Sequence, residues 1–205
     1  MPSSRLAACL AALTLSVSAP THAAAAAPLP AVALQPGDLV FQASRSRQAA
    51  GIRLATGSRW SHVAIVERAG HGATVLEAIE PVSRTSWERW RRRGIGEVLV
   101  LRVRGLDPAA KARAVAEARR FLGKPYDARF GWGDDRLYCS ELVVKAYERG
   151  AGLVLGRRQK LGELAIAPVK GAIRERWGKV PDDLELVTPA SIADDPRLEV
   201  VYRGP

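Results

Sequence analysis

Cysteine is almost missing from this chain. Only Cys9 and Cys139 occur in 205 residues, too few for a disulfide framework. Histidine is nearly as scarce. His22, His62 and His71 are too scattered to make a zinc site, and no other metal-ligand cluster, phosphate loop or internal repeat is present. No metal and no cofactor is expected. The net charge is +10, yet there is no helix-turn-helix, aromatic–basic platform or zinc spacing to go with it, so nucleic acid is not the expected partner. A solvated arginine-rich face, fed by Arg89, Arg91, Arg92 and Arg93, is one reading of that charge. Attraction to an anionic cell-wall or membrane surface is the other.

Long apolar runs are also lacking, apart from Leu6–Val17, which is short for a membrane span. With Arg5 before it and the small residues of Thr21-His22-Ala23 after it, residues 1–27 read as a signal peptide and Ala-rich leader. Leu6-Ala7-Ala8-Cys9 mimics a lipoprotein box but precedes the end of the apolar run, so lipidation is not expected. The sequence therefore predicts an exported, periplasmic protein, with residues 28–205 forming one domain. Export removes Cys9 and leaves Cys139 as a single thiol in an oxidising compartment. Such a thiol is either buried and inert or kept for chemistry.

Its context favours chemistry. In Gly123–Tyr147 (GKPYDARFGWGDDRLYCSELVVKAY) the residues Leu142, Val143, Ala146 and Tyr147 recur at helical spacing. The helix starts at Cys139, with Glu141 in its first turn. Unpaired N–H groups at a helix start favour a thiolate and lower its pKa from about 8.5 toward about 4–7.5.

The remaining elements follow in order. Gln35-Pro36-Gly37-Asp38 is a turn before a strand at Leu39–Gln42. A short helix is expected within Ser44–Ser58. Trp60–Glu67 and Ala73–Ile79 read as a hairpin around the loop Arg68–Gly72. Pairing Val66 with Ala73 sets His62 opposite Glu77, with Cβ atoms about 5 Å apart. A one-residue slip would separate them. Ser86–Arg93 reads as a basic helix carrying Trp87 and Trp90, and Glu97–Arg104 as a strand. A helix capped by Asp107, with Pro108 at its first position, is expected to run to about Leu122. Ala172–Trp177 reads as short helix or loop, Leu184–Val187 as a strand, Thr188-Pro189 as a helical turn and Leu198–Tyr202 as a closing strand. With 47% hydrophobic residues, a core can be built.

Glu77 is an odd residue among Val75, Leu76, Ala78 and Ile79, since a buried acid without a partner is costly. A histidine in a strand is ordinarily structural, but His62 next to such an acid forms the base-and-orienter arrangement that a thiol nucleophile needs.

The motifs resemble those of NlpC-type papain-like cysteine peptidases: Gly37-Asp38-Leu39-Val40-Phe41, His62-Val63-Ala64-Ile65, Gly123-x-Pro125-Tyr126, and Cys139-Ser140-x-Leu142-Val143. Here the cysteine segment follows the strands instead of preceding them. That order is similar to the circularly permuted, YiiX/YebB-like branch, and the match covers about Gly37–Gly150. The resemblance implies an α+β, permuted papain-like fold: a small antiparallel sheet packed by helices, with the cysteine at a helix N-terminus. It implies Cys139 as nucleophile, His62 as base and Glu77 as orienting acid. The backbone N–H of Cys139 suits an oxyanion contact, and Tyr138 or Tyr126 is a further candidate donor, with core packing as the alternative role of either tyrosine.

The expected activity is cysteine amidase or peptidase chemistry on a small amide or cell-wall peptide, through a thioester. Lipid acyl hydrolysis or transfer at a membrane is a second reading. Related permuted proteins that resemble lecithin:retinol acyltransferase do lipid chemistry, and Trp87 and Trp90 beside a basic face would suit a membrane surface. A non-catalytic ligand-binding module is the reading from another class, and an intact Cys/His/Glu set argues against it.

Overall fold

Apolar residues on both faces of the central strands require cover on both sides, and the chain provides it. The computed structural model describes residues 34–205. The signal-peptide reading, with Cys9 and His22, falls outside these residues. Six strands form one antiparallel sheet in the order β4-β3-β2-β1-β5-β8. They are β1 (Leu39–Ser44), β2 (His62–Arg68), β3 (Thr74–Glu77), β4 (Ser83–Ser86), β5 (Gly94–Val103) and β8 (Leu198–Gly204). The period-2 geometry of strands sends Leu39, Phe41, Val63 and Ile65 into the larger core, and Val40, Ala64, Val66 and Val100 into the smaller one. A separate two-stranded ribbon joins β6 (Gln159–Lys160) to β7 (Glu185–Leu186).

The helices are α1 (Arg47–Thr56), α2 (Trp87–Arg92), α3 (Pro108–Arg119), α4 (Cys139–Ala151), α5 (Lys170–Trp177) and α6 (Pro189–Ala193). Helices α3 and α4 cover the larger core through Ala114, Val115, Ala118, Leu142, Val143 and Ala146. Gly150 allows their close approach, since a Cβ there would collide with the backbone of Arg113 and Ala114. Asp107 caps α3, its Oδ1 accepting from the N–H groups of Ala109 (2.8 Å) and Ala110 (3.0 Å). Gly152 ends α4 in the left-handed conformation at φ 66°. At the start of β1 the Tyr147 hydroxyl donates to the Gly37 carbonyl, tying α4 to the sheet.

Five differences from expectation emerge. The β2–β3 ladder pairs Ile65 with Leu76 and Val66 with Val75, a two-residue offset from the expected register: the ladder starts at Arg68–Thr74 beside the turn, three residues off, and the bulge between Val66 and Arg68 takes back one. Strand β4 was not expected. Its Ser-Arg-Thr-Ser sequence has no apolar alternation, and backbone pairing to β3 holds it at the sheet edge. Helix α3 ends at Arg119, the chain to Leu122 continuing as tighter turns, and β5 begins at Gly94. Finally, Trp87 and Trp90 are buried, stacked on each other at 5.3 Å in the smaller core. They are not available to a membrane surface.

Candidate active site

The cysteine helix begins where its sequence requires. Tyr138 sits in extended conformation before α4 (φ −100°, ψ 168°). Glu141 reaches back to accept from the Tyr138 N–H at 3.4 Å. Cys139 therefore occupies the first helical position, where backbone N–H groups lack intrahelical partners. Its side chain is almost fully buried between α4 and the start of β2.

His62 is the first residue of β2, and its ring lines the same cavity as the thiol, with which it interacts electrostatically. The Nε2 atom lies 2.7 Å from Glu77 Oε2. Nδ1 is thus the ring nitrogen left for Cys139. Glu77 has no solvent exposure and is bonded on its other oxygen, Oε1, by the Arg93 guanidinium. A chain of alternating charge preference results: thiol, imidazole, carboxylate, guanidinium.

The electrostatics follow from this chain. Burial disfavours an imidazolium at His62, but the interactions with Cys139 and Glu77 outweigh it and raise the pKa to about 9. Burial also disfavours the Cys139 thiolate. Interaction with the His62 ring, its positive charge and the Val63 backbone lower the thiol's pKa nonetheless. Burial acts against the Glu77 carboxylate too, yet His62 and Arg93 hold its pKa down at about 2. Both shifts run in the same sense, favouring a thiolate–imidazolium pair over a neutral thiol and imidazole.

The two tyrosines occupy different positions. The Tyr138 hydroxyl accepts from the Val187 N–H at 3.0 Å, and its ring packs edge-on against Phe130. This is an anchoring position. Tyr126 lines a cavity together with Cys139 and His62. Its hydroxyl accepts from Gln48 Nε2 at 3.3 Å, so its own proton is available to donate. Burial, with the nearby Cys139 charge adding to it, drives the Tyr126 pKa upward and keeps that proton in place.

Two cavities of about 480 Å³ each meet at the thiol. One is an apolar cleft walled by Ala55, Phe130, Leu164, Ile173, Trp177 and Leu186. The other lies on the His62 side and includes Ser61, Tyr126 and three arginines. Gln48 and Ile52 of α1 line both and form the partition between them.

Two features of the site lie outside the sequence expectations. Arg93 reads there as one cation of a basic run, and nothing in its spacing points to Glu77. The other is a buried ion pair on α4. Glu141 Oε1 lies 2.7 Å from Lys145 Nζ, which also donates to the Gly133 carbonyl (2.5 Å) and Asp134 Oδ1 (2.8 Å). Burial raises Glu141 to about 7 against the pull of Lys145. The i,i+4 spacing was a signal for this pair. The pair fastens the 133–134 loop to the helix that carries Cys139.

Comparison with known proteins fits this arrangement. The model of the permuted papain-like amidase family, YaeF/YiiX (C92), matches residues 33–202. This chain belongs to the C92 family. It is accordingly an enzyme of the cysteine-hydrolase type on a permuted papain-like fold. It is 40% identical over 182 residues to the uncharacterized protein YiiX of Escherichia coli (strain K12), covering 85% of this chain and 90% of that protein. A crystal structure of yiiX from Escherichia coli O157:H7, described as a metalloprotein, matches with TM-score 0.78 and 40% identity, over 82% of this chain and 96% of the other. The permuted order, strands first and cysteine helix after, is the order of the elements here.

Proposed function

We propose that this C92 protein is an exported cysteine amidase that cleaves a small or cell-wall-derived amide through a Cys139–His62–Glu77 triad. The observation that carries this reading is the His62–Glu77 bond at 2.7 Å, which orients the imidazole while its other nitrogen serves the thiol. The Cys139 thiolate attacks the amide carbonyl. His62, protonated, delivers its proton to the leaving nitrogen, and a thioester remains. Water, deprotonated by His62, then releases the acid. The backbone N–H of Cys139 and the Tyr126 hydroxyl stabilise the oxyanion, a type of contact worth about 3 kcal/mol per donor. Glu77 keeps the ring fixed, and Arg93 keeps Glu77 ionised.

A second reading is favoured by one feature, the apolar cleft that opens on Cys139. It suits an acyl chain, so acyl hydrolysis or transfer on a lipid substrate is the alternative. Among the described residues no group of three His, Cys, Asp or Glu side chains could hold a metal ion. The donor set does not fit one, and no step is routed through a metal.

The test is a panel of muropeptides, fluorogenic N-acyl amides and fluorescent phospholipids, incubated with wild type and Cys139→Ala. Cleavage of the peptides or amides, abolished in the variant, supports the amidase. Turnover of phospholipids alone transfers the assignment to the acyl reading. Turnover that survives Cys139→Ala overturns both.

A further inference from the structure

The cavity on the His62 side of the thiol carries an unusual set of side chains. Arg45, Arg92 and Arg93 all line it. Only Arg93 has an acidic partner, Glu77. Arg45 and Arg92 are exposed, and neither makes an ion pair or side-chain hydrogen bond with any described residue. Some arginines of this surface are matched by acids, as Arg59 and Arg203 are by Glu97 and Arg149 is by Asp134, and others such as Arg89, Arg91 and Arg104 are not, so what distinguishes Arg45 and Arg92 is their place in the cavity beside the thiol. The cavity lining holds one carboxylate, Glu80, whose Oε2 accepts from the Tyr126 N–H at 3.0 Å. Gln42 also lines the cavity. It is ladder partner to His62, 1% exposed, and both polar atoms of its side-chain amide lack a protein partner. A buried amide without a bond is costly, and two unpaired guanidiniums beside it are donors only. The set is complementary to an anion.

Its position says which part of a substrate that anion belongs to. The cavity contains His62, the group that delivers a proton to the departing nitrogen. We infer that this cavity is an anion subsite, formed by Arg45, Arg92 and Gln42, which binds a carboxylate or phosphate on the leaving group. The inference rests on the thiol chemistry proposed above and narrows its substrate to an acyl group joined to an amine that bears a negative charge. The reaction balances without further reagents. The sulfur–carbon bond forms as the carbon–nitrogen bond breaks, the imidazolium proton goes to nitrogen, and the anionic amine leaves.

Alkylation of Cys139 tests the subsite without a substrate, by comparing anionic iodoacetate with neutral iodoacetamide in the mature protein. In Arg45→Gln/Arg92→Gln the iodoacetate-to-iodoacetamide rate ratio is expected to fall by about fivefold, since two cations near the thiol are lost in a partly screened cleft. The single variants Arg45→Gln and Arg92→Gln should each give part of that drop, and they serve if the double variant does not fold. A fall of less than twofold across all three overturns the subsite. N-acetylglycine and glycerol phosphate are then added as protectants of the wild-type thiol. Protection by the first supports the subsite with a carboxylate as its anion, protection by the second supports it with a phosphate, and protection by neither overturns it. Slow reaction with iodoacetamide itself below pH 7 would count against the activated thiol instead, so the two failures are distinguishable.

Discussion

His62 and Glu77 bond at 2.7 Å although they are not ladder partners. Extending the observed β2–β3 register sets His62 across from Ile79, two residues beyond the acid. A shift of two keeps each side chain on its original face. The diagonal neighbour is within reach of two long polar side chains. The acid then receives Arg93 from the turn after α2, so one carboxylate bridges the imidazole and a guanidinium.

The thiolate–imidazolium pair predicts the pH dependence of Cys139 alkylation. The lowered thiol pKa sets the acid limb: below it the thiol is protonated and slow. His62, raised to about 9, keeps its proton across neutral pH and loses it above about 9, where hydrolysis falls because the proton for the leaving group is gone. The two protons belong to a coupled pair, so the profile gives two macroscopic values. In His62→Ala the acid limb should move up toward about 8.5. Rates of iodoacetamide reaction from pH 4 to 10 check this. A wild-type thiol that titrates near 8.5 would refute the pair.

Glu77→Gln keeps the size of the side chain but removes the charge that holds His62 protonated and oriented. We expect kcat/KM to drop by at least about 100-fold and the basic limb of the profile to move down from about 9. Arg93 is part-exposed and can turn to solvent, so the fold should survive. Steady-state kinetics with circular dichroism decide the point. An active variant with an unmoved basic limb would remove Glu77 from the mechanism.

Lys145→Met strands Glu141, which has no solvent exposure. Breaking one side of such a buried pair costs about 3–5 kcal/mol. The double variant Glu141→Gln/Lys145→Met should recover most of that loss. Denaturant midpoints of the three proteins measure it, and equal stability in wild type and Lys145→Met would show that the pair contributes nothing.

Gly150→Val forces a side chain into the backbone of α3 at Arg113 and Ala114. Overpacking of this kind costs about 1–3 kcal/mol or more. Because Cys139 lies at the other end of α4, the thiol should keep its reactivity at temperatures where the variant is still folded. Thermal unfolding together with alkylation rates at 20 °C tests both halves.

Local order determined much of this protein. Asp107-Pro108 starts α3 because a side-chain cap and a missing N–H suit that position. Gly152 ends α4 because the left-handed conformation suits glycine. Short apolar runs bounded by turn residues marked β1 and β2, and the helical spacing from Leu142 to Tyr147 put Cys139 at a helix start. The order of the motifs showed the permutation. Tertiary structure alone decided the rest. The turn that pairs Arg68 with Thr74, and the bulge next to it, set the register that places Glu77. Strand β4 formed from a polar segment because β3 had an open edge. Arg93 reached Glu77, and Trp87 and Trp90 turned inward, because α2 folds back over the second face of the sheet. Each of these depends on groups brought together across the fold, and neither spacing nor propensity records such encounters.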